Sequence, residues 1–156
     1  MRSVNSNWFE CKVQYDTVTE NGSNKKVSEL YAVDAVSFTE AEKIMIDEMS
    51  CYIKGDFEVS DIKKAKYKEV FFSDIESADR YYKVKLQFIT IDEKTAKEKR
   101  TNVMYLVQAE NIKDALKNLD EVMKTSLSDY ESVEIKETKI FDAIEYRERN
   151  STRKDV

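Results

Sequence analysis

Residues 8–18 read Trp8-Phe9-Glu10-Cys11-Lys12-Val13-Gln14-Tyr15-Asp16-Thr17-Val18, and residues 81–91 read Tyr81-Tyr82-Lys83-Val84-Lys85-Leu86-Gln87-Phe88-Ile89-Thr90-Ile91. At an offset of 73 an aromatic pair meets an aromatic pair, Lys12 meets Lys85, Val13 meets Leu86, Gln14 meets Gln87 and Tyr15 meets Phe88. The match continues downstream. Val33, Ala35, Phe38, Ala41, Met45 and Met49 fall on Val107, Ala109, Ile112, Ala115, Leu119 and Met123 at an offset of 74, and Ile62-Lys63 falls on Ile135-Lys136 at 73. A fixed period of this kind marks internal repetition. The chain reads as two copies of one unit, about 7–72 and 80–146, with a seam near residues 73–79.

Each copy opens on an alternating segment. Phe9, Cys11, Val13 and Tyr15 share one face, while Trp8, Glu10, Lys12 and Gln14 share the other. A period of two with one apolar face predicts a half-buried strand. Glu20-Asn21-Gly22-Ser23 supplies a turn in which Gly22 can take positive φ. Residues 27–36 return as a second strand; in the other copy a longer polar turn, 92–98, leads to a return over 101–109. Ser37-Phe38-Thr39-Glu40 has the form of a capping box. Phe38, Ala41, Met45, Met49 and Tyr52 follow at helical spacing and form one apolar stripe. In the second copy Asn111 caps a helix whose stripe is Ile112, Ala115, Leu119, Val122 and Met123. Strand-like sequence resumes at 57–62, extending toward 72, and at 133–144.

A helix with one apolar stripe needs a partner, and a sheet with one apolar face provides it. The expected fold is therefore α+β: a two-layer antiparallel sheet with two helices, built from a duplicated β-β-α-β unit. Residues 1–146 are expected to form a single compact domain, and the charged segment 147–156 a flexible polar tail. Whether the strands join in one sheet or two is not legible in the pattern.

Composition narrows the function. The chain has 156 residues, net charge −5, no His, no Pro and two Gly. One domain of this length builds its own core. No apolar run approaches the roughly 18 residues of a membrane span. The opening residues carry Asn and Ser where a secretory signal would be apolar, so a cytoplasmic setting is the expectation. Cys11 lies on the apolar side of its strand and reads as a small buried hydrophobe. Without His, two cysteines do not complete a zinc site by themselves, and no metal or cofactor is expected.

No enzyme signature stands out. There is no Gly-rich phosphate loop, no imidazole base and no nucleophile elbow. Acid-x-Lys triplets at Glu10, Asp61, Asp92, Glu134 and Glu137 occur about as often as chance predicts in so charged a chain.

Binding features carry more. The polar strand faces present Trp8, Lys12 and Gln14 in one copy, and Tyr81, Lys83, Lys85 and Gln87 in the other. Lys63 and Lys66, with Lys64 and Lys68, add positive charge. Aromatics that stack bases beside lysines that meet phosphates are how sheet-faced single-strand binders work. The same residues are equally those of an ordinary solvated strand face whose aromatics cover the edge of the core. Residues 1–78 carry ten basic and fifteen acidic groups and residues 79–156 sixteen of each, so neither half has a basic footprint. A third feature is the seam, where Phe71 and Phe72 precede Asp74 and an acidic stretch; it reads either as a partner-docking loop or as one buried Phe, one edge Phe and a solvated linker.

Four segments carry a resemblance: Trp8-Phe9-Glu10-Cys11-Lys12-Val13; Val33-Asp34-Ala35-Val36-Ser37-Phe38-Thr39-Glu40-Ala41-Glu42; Val59-Ser60-Asp61-Ile62-Lys63-Lys64-Ala65-Lys66-Tyr67; and Phe71-Phe72-Ser73-Asp74. Together they resemble a domain-of-unknown-function family of short proteins from Bacteroides-type bacteria and their phages, including crAss-like phages. The similarity spans about residues 7–145. It implies a mobile-element setting and places Trp8, Phe9, Lys63 and Phe72 in motif positions. It transfers no catalytic residue.

The expectation is thus a small non-enzymatic phage or mobile-element protein. The first reading is an accessory binder of single-stranded nucleic acid. The alternative is a protein–protein module, an inhibitor of a host system or a self-assembling phage component, resting on the chain's acidity, the strand edges an open sheet leaves and the Phe-Phe-acidic seam. A homo-oligomer is compatible with either, and no membrane partner is expected.

Overall fold

The alternating segment 8–18 forms a strand, β2 (Trp8–Val18), preceded by a short β1 (Arg2–Asn5). The computed structural model describes residues 1–146; the segment 147–156, read above as a polar tail, lies outside the described residues. The other elements are β3 (Asn24–Asp34), α1 (Phe38–Tyr52), β4 (Phe57–Lys64), β5 (Glu69–Phe72), β6 (Arg80–Ile91), β7 (Glu98–Ala109), α2 (Ile112–Met123), β8 (Asp129–Glu137) and β9 (Ile140–Ile144). The class is α+β.

The chain divides into two units, one of residues 6–65 with 139 onward, the other of residues 1–5 with 66–138. In the first, the sheet order is β4-β2-β3-β9. Phe9, Cys11 and Val13 alternate inward from β2, opposite Val33, Tyr31 and Glu29 of β3. They pack with Ala41, Met45 and Met49 of α1, all buried. The helix begins where the capping box predicts: the Glu40 N–H donates to Ser37 Oγ at 3.1 Å. The Glu40 carboxylate in turn accepts from the Val36 N–H at 3.1 Å. The ends of the expected stripe differ. Phe38 is largely exposed, although its ring meets Phe9 edge-on at 4.9 Å, and Tyr52 is exposed at the helix C-terminus.

In the second unit the order is β1-β5-β7-β6-β8. Tyr82, Val84 and Leu86 of β6 pack with Tyr105, Val107 and Ala109 of β7 and with Ala115 and Leu119 of α2. Asn111 caps α2, accepting from the Asp114 N–H at 2.8 Å, while Asp114 accepts from the Glu110 N–H at 3.3 Å. Gly22 takes φ 78° in the β2–β3 turn, as expected of it. Ala96 takes φ 56° in the longer β6–β7 turn, where Asp92 Oδ1 accepts from the Lys94 N–H at 2.9 Å.

The sheets depart from the expected antiparallel arrangement at two strands, and there are two sheets. β5 pairs in parallel with β7, matching Glu69, Val70 and Phe71 to Tyr105, Leu106 and Val107. β9 pairs in parallel with β3, matching Tyr31, Ala32 and Val33 to Asp142, Ala143 and Ile144. Along the chain β5 follows β4 and β9 follows β8, yet each lies in the other unit. Alternation identifies these segments as strands but specifies neither partner nor direction. Only a hairpin turn would have imposed antiparallel pairing.

The core makes one titration visible. Burial, reinforced by the negative charge of Asp61, pushes the Cys11 thiol from an ordinary 9.0 up to about 12. Tyr31 is pushed up by burial and by donating to Glu29, and Tyr15 is raised chiefly by its hydrogen bond to the same carboxylate. Raised values mean that the folded protein keeps protons the unfolded chain releases, so stability is fully present below these groups' unfolded pKa values and falls as pH rises. Thermal melts are expected to lose stability progressively from about pH 9 toward 12. Cys11→Ala is expected to delay the onset to about pH 10, where unfolded tyrosines ionise. An onset unchanged in Cys11→Ala would show that the thiol contributes nothing.

Candidate functional site

On β2 the polar face carries Trp8, Glu10, Lys12 and Gln14, opposite Asp34, Ala32, Leu30 and Ser28 of β3. The expectation that this whole face meets solvent fails at its Trp8 end. Trp8 is 1% exposed, and Ala32 and Asp34 beside it are equally closed. Farther along, Lys12 is exposed and Gln14 half-buried. Lys63 is exposed and lies 3.8 Å from Asp61 in an ion pair open to water, an arrangement of little energetic weight.

The second sheet repeats the pattern. Tyr81 is 2% exposed, and its carbonyl accepts from both the Thr138 N–H at 2.9 Å and the Thr138 hydroxyl at 2.8 Å. Leu106, Val70 and Val4 on neighbouring strands are buried as well. Both aromatics proposed as stacking platforms are therefore structural side chains. The cause is that each sheet is covered on its second face at one end, which alternation within a strand does not reveal.

The remaining polar candidates of this sheet are half-buried or exposed. Lys83 holds its ammonium 5.8 Å from the Tyr67 ring centre. Lys85 stands between Met104 and Glu134. Gln87 is engaged on both sides of its amide: its nitrogen donates to Asn102 Oδ1 at 2.9 Å, and its oxygen accepts from Arg100 at 3.1 Å. Arg100 continues to Glu131 at 2.7 Å. Lys12, Gln14 and Lys63 thus belong to one sheet's unit, and Lys66, Lys83, Lys85 and Gln87 to the other's.

The seam is corrected too. Phe71 and Phe72 are both buried, Phe71 against the Tyr105 ring at 5.4 Å and Phe72 beneath the Arg2 guanidinium at 4.7 Å. Their aromatic faces serve the fold. Asp74 is exposed and accepts from the Met1 amino group at 3.1 Å.

The feature the sequence did not display is a row of backbone groups on β7. The Asp92 N–H bonds the Lys97 carbonyl at 2.9 Å. Antiparallel pairs alternate between bonded and non-bonded, so from this anchor the backbone groups of Lys99, Thr101 and Val103 point to their β6 partners. Those of Glu98, Arg100, Asn102 and Met104 point to the other side. There β5 pairs only from Tyr105 onward. Among the described residues, 98–104 have no strand on that side. A groove of about 420 Å³ opens at this place, lined by Lys66, Lys68, Glu69, Asn102 and Met104 among others.

Two polar clusters lie elsewhere. The Glu29 carboxylate accepts from Tyr15 at 2.7 Å and also from the Tyr31 hydroxyl. Both phenols are held to their protons, the opposite of an activated base. Asp34 is buried and accepts from the Ser6 hydroxyl and from the Tyr146 N–H at 3.4 Å, which identifies it as an internal anchor. Among the described residues no group of three or more Cys, Asp or Glu side chains is arranged to hold a metal ion. No helix among them is long and apolar enough to cross a membrane.

Comparison with known proteins returns no matching curated protein and no matching solved structure. A family model does match, over residues 7–146, and covers both helices and every described strand except β1. On that match the chain belongs to the family described as Domain of unknown function (DUF4494).

Proposed function

We propose that this protein is a non-enzymatic binding module that takes an extended protein segment along an open strand edge. The observation that carries the reading is the row of outward backbone groups at Glu98, Arg100, Asn102 and Met104, with no strand beyond it among the described residues. An edge of this kind is a template for another strand, and edge addition is a recurring mode of peptide recognition in which main-chain bonds supply affinity. The exposed, charged Lys99 on this stretch disfavours indiscriminate pairing. The resemblance to proteins of Bacteroides-type bacteria and their phages adds a mobile-element setting. The matching orders of β4-β2-β3-β9 and β8-β6-β7-β5 support reading the chain as a duplicated unit.

The test is a titration of the isotope-labelled full chain with unstructured decapeptides of acidic, neutral and basic sequence, followed by amide resonances. Shifts at Glu98, Arg100, Asn102 and Met104 with at least one peptide are the expected result. A chain that ignores every peptide yet binds a single-stranded oligonucleotide in a salt-sensitive way would overturn this reading. Binding would then rest on lysines such as Lys12, Lys63, Lys66, Lys83 and Lys85 through phosphate charge.

A further inference from the structure

We infer that the partner segment is acidic and seats in the groove where β5 parts from β7, beneath Lys66 and Lys68. The inference rests on the strand-edge reading above and adds the place and the chemistry. β5 lies beside Tyr105, Leu106 and Val107 and begins only at Glu69. Residues 66–68 precede it outside any strand. Had the chain stayed extended, these three residues would have run beside Asn102, Val103 and Met104. Instead it diverges, and the groove of about 420 Å³ opens between the diverging segment and the β7 edge.

The dimensions suit a strand. Strands pair at about 4.8 Å and advance about 3.3 Å per residue, so the seven positions 98–104 offer about 23 Å of edge. An occupant would continue the line of β5, whose Glu69 N–H already meets the Met104 carbonyl, and would first meet the Met104 N–H and the outward N–H and C=O of Asn102.

Charge specifies the occupant. Lys66 and Lys68 both border the groove, both are exposed, and neither has an ion-pair partner among the described residues. Glu69 is the one acidic side chain lining it, and it pairs with Tyr105, whose phenol is pushed up by burial first and by the Glu69 charge second. Two lysines spaced two apart bracket the buried Tyr67. A strand projects alternate side chains to one side, so Asp or Glu at alternate positions of an extended segment can meet both ammonium groups. A basic segment would meet two like charges.

The experiment uses the full chain and three labelled probes: alternating Val-Asp and Val-Lys decapeptides, and a single-stranded DNA decamer. Binding is read by fluorescence anisotropy, and its location by amide resonances. The Val-Asp peptide is expected to bind at least about tenfold tighter than Val-Lys at low salt, with the advantage shrinking as salt rises. Lys66→Glu with Lys68→Glu is expected to remove that advantage. Asn102→Pro deletes one outward N–H at an edge position where proline is tolerated, and is expected to weaken Val-Asp binding about tenfold, while Asn102→Ala stays within about threefold. N-methylation of alternate residues in the peptide tests the same bonds without touching the protein, and should abolish binding.

Equal binding of both peptides at the β7 edge, unchanged by the lysine reversals, would overturn the acidic partner and leave the strand-edge reading standing. Resonance shifts confined to the β3 edge, at Lys26 and Ser28, would overturn the assigned place and, with it, the choice of β7 as the binding edge. Binding by the N-methylated peptide as tight as by its parent would overturn both. Tighter binding of the DNA decamer in competition would replace a protein partner with a nucleic acid.

Discussion

Trp8→Ala is expected to destabilise the protein by about 3–5 kcal/mol, the range for emptying a large buried aromatic site. Trp8 is 1% exposed, among the largest fully buried side chains, and it is the chain's single tryptophan. Its emission should therefore be blue-shifted in the native protein and move to the red on unfolding. Denaturant melts of Trp8→Ala followed by circular dichroism measure the loss. A change below about 1 kcal/mol would show that the site collapses or that the indole is wet in solution. Trp8→Phe keeps most of the apolar volume and should recover more than half of the loss. The single tryptophan also separates the roles: an exposed stacking residue would be quenched by iodide in the folded state, and Trp8 should resist it.

The second large effect concerns β9. A chain ending after Thr138 is expected to lose the ordered state of the 6–65 unit, whereas one ending after Tyr146 keeps it. β9 supplies buried Ile140 and the partly buried Ile144, which lies opposite Val33 and packs against the core cluster of that unit. Burying two isoleucines contributes about 1.5–3 kcal/mol each. Together that is at most about 3–6 kcal/mol, a large fraction of a domain stability of about 5–15 kcal/mol. Removal also bares the β3 edge at Tyr31, Ala32 and Val33. Hydrogen exchange is the measurement: β2, β3 and α1 amides should lose protection in the chain ending after Thr138. Full retention there would mean that β9 is an ornament of the sheet.

Particular residues show how much was legible beforehand. Ser37 and Glu40 announced α1, and Asn111 announced α2, because a helix start is satisfied by side chains within three residues of it. Phe9, Cys11 and Val13 announced the inner face of β2 because alternation is local. Trp8 and Tyr81 misled for the same reason. Their companions on the strand face, Glu10, Lys12 and Gln14 in one copy and Lys83, Lys85 and Gln87 in the other, are polar, and a polar face predicts exposure along its whole length. Yet Trp8 and Tyr81 are buried, and burial at one end of a face leaves no trace in the alternation. Phe71 and Phe72 misled in the reverse direction. Adjacent aromatics on a strand look as if one must face water, yet in the five-stranded sheet Phe71 joins the helix-side core while Phe72 lies under Arg2. The candidate edge on β7 could not be read from Asn102 or Met104 themselves, since what defines it is where β5 stops.

By itself the sequence determined the elements of this protein: the strand faces, the two capped helices, the turn at Gly22 and the α+β class. Each follows from interactions within a few residues, which periodicity and capping chemistry record. The tertiary structure decided the partners. It set β5 in parallel on β7 and β9 in parallel on β3, buried Trp8 and Tyr81, and left residues 98–104 with an open side. Strand pairing and burial are made between residues far apart in the chain, and a backbone hydrogen bond is indifferent to the side chain that carries it.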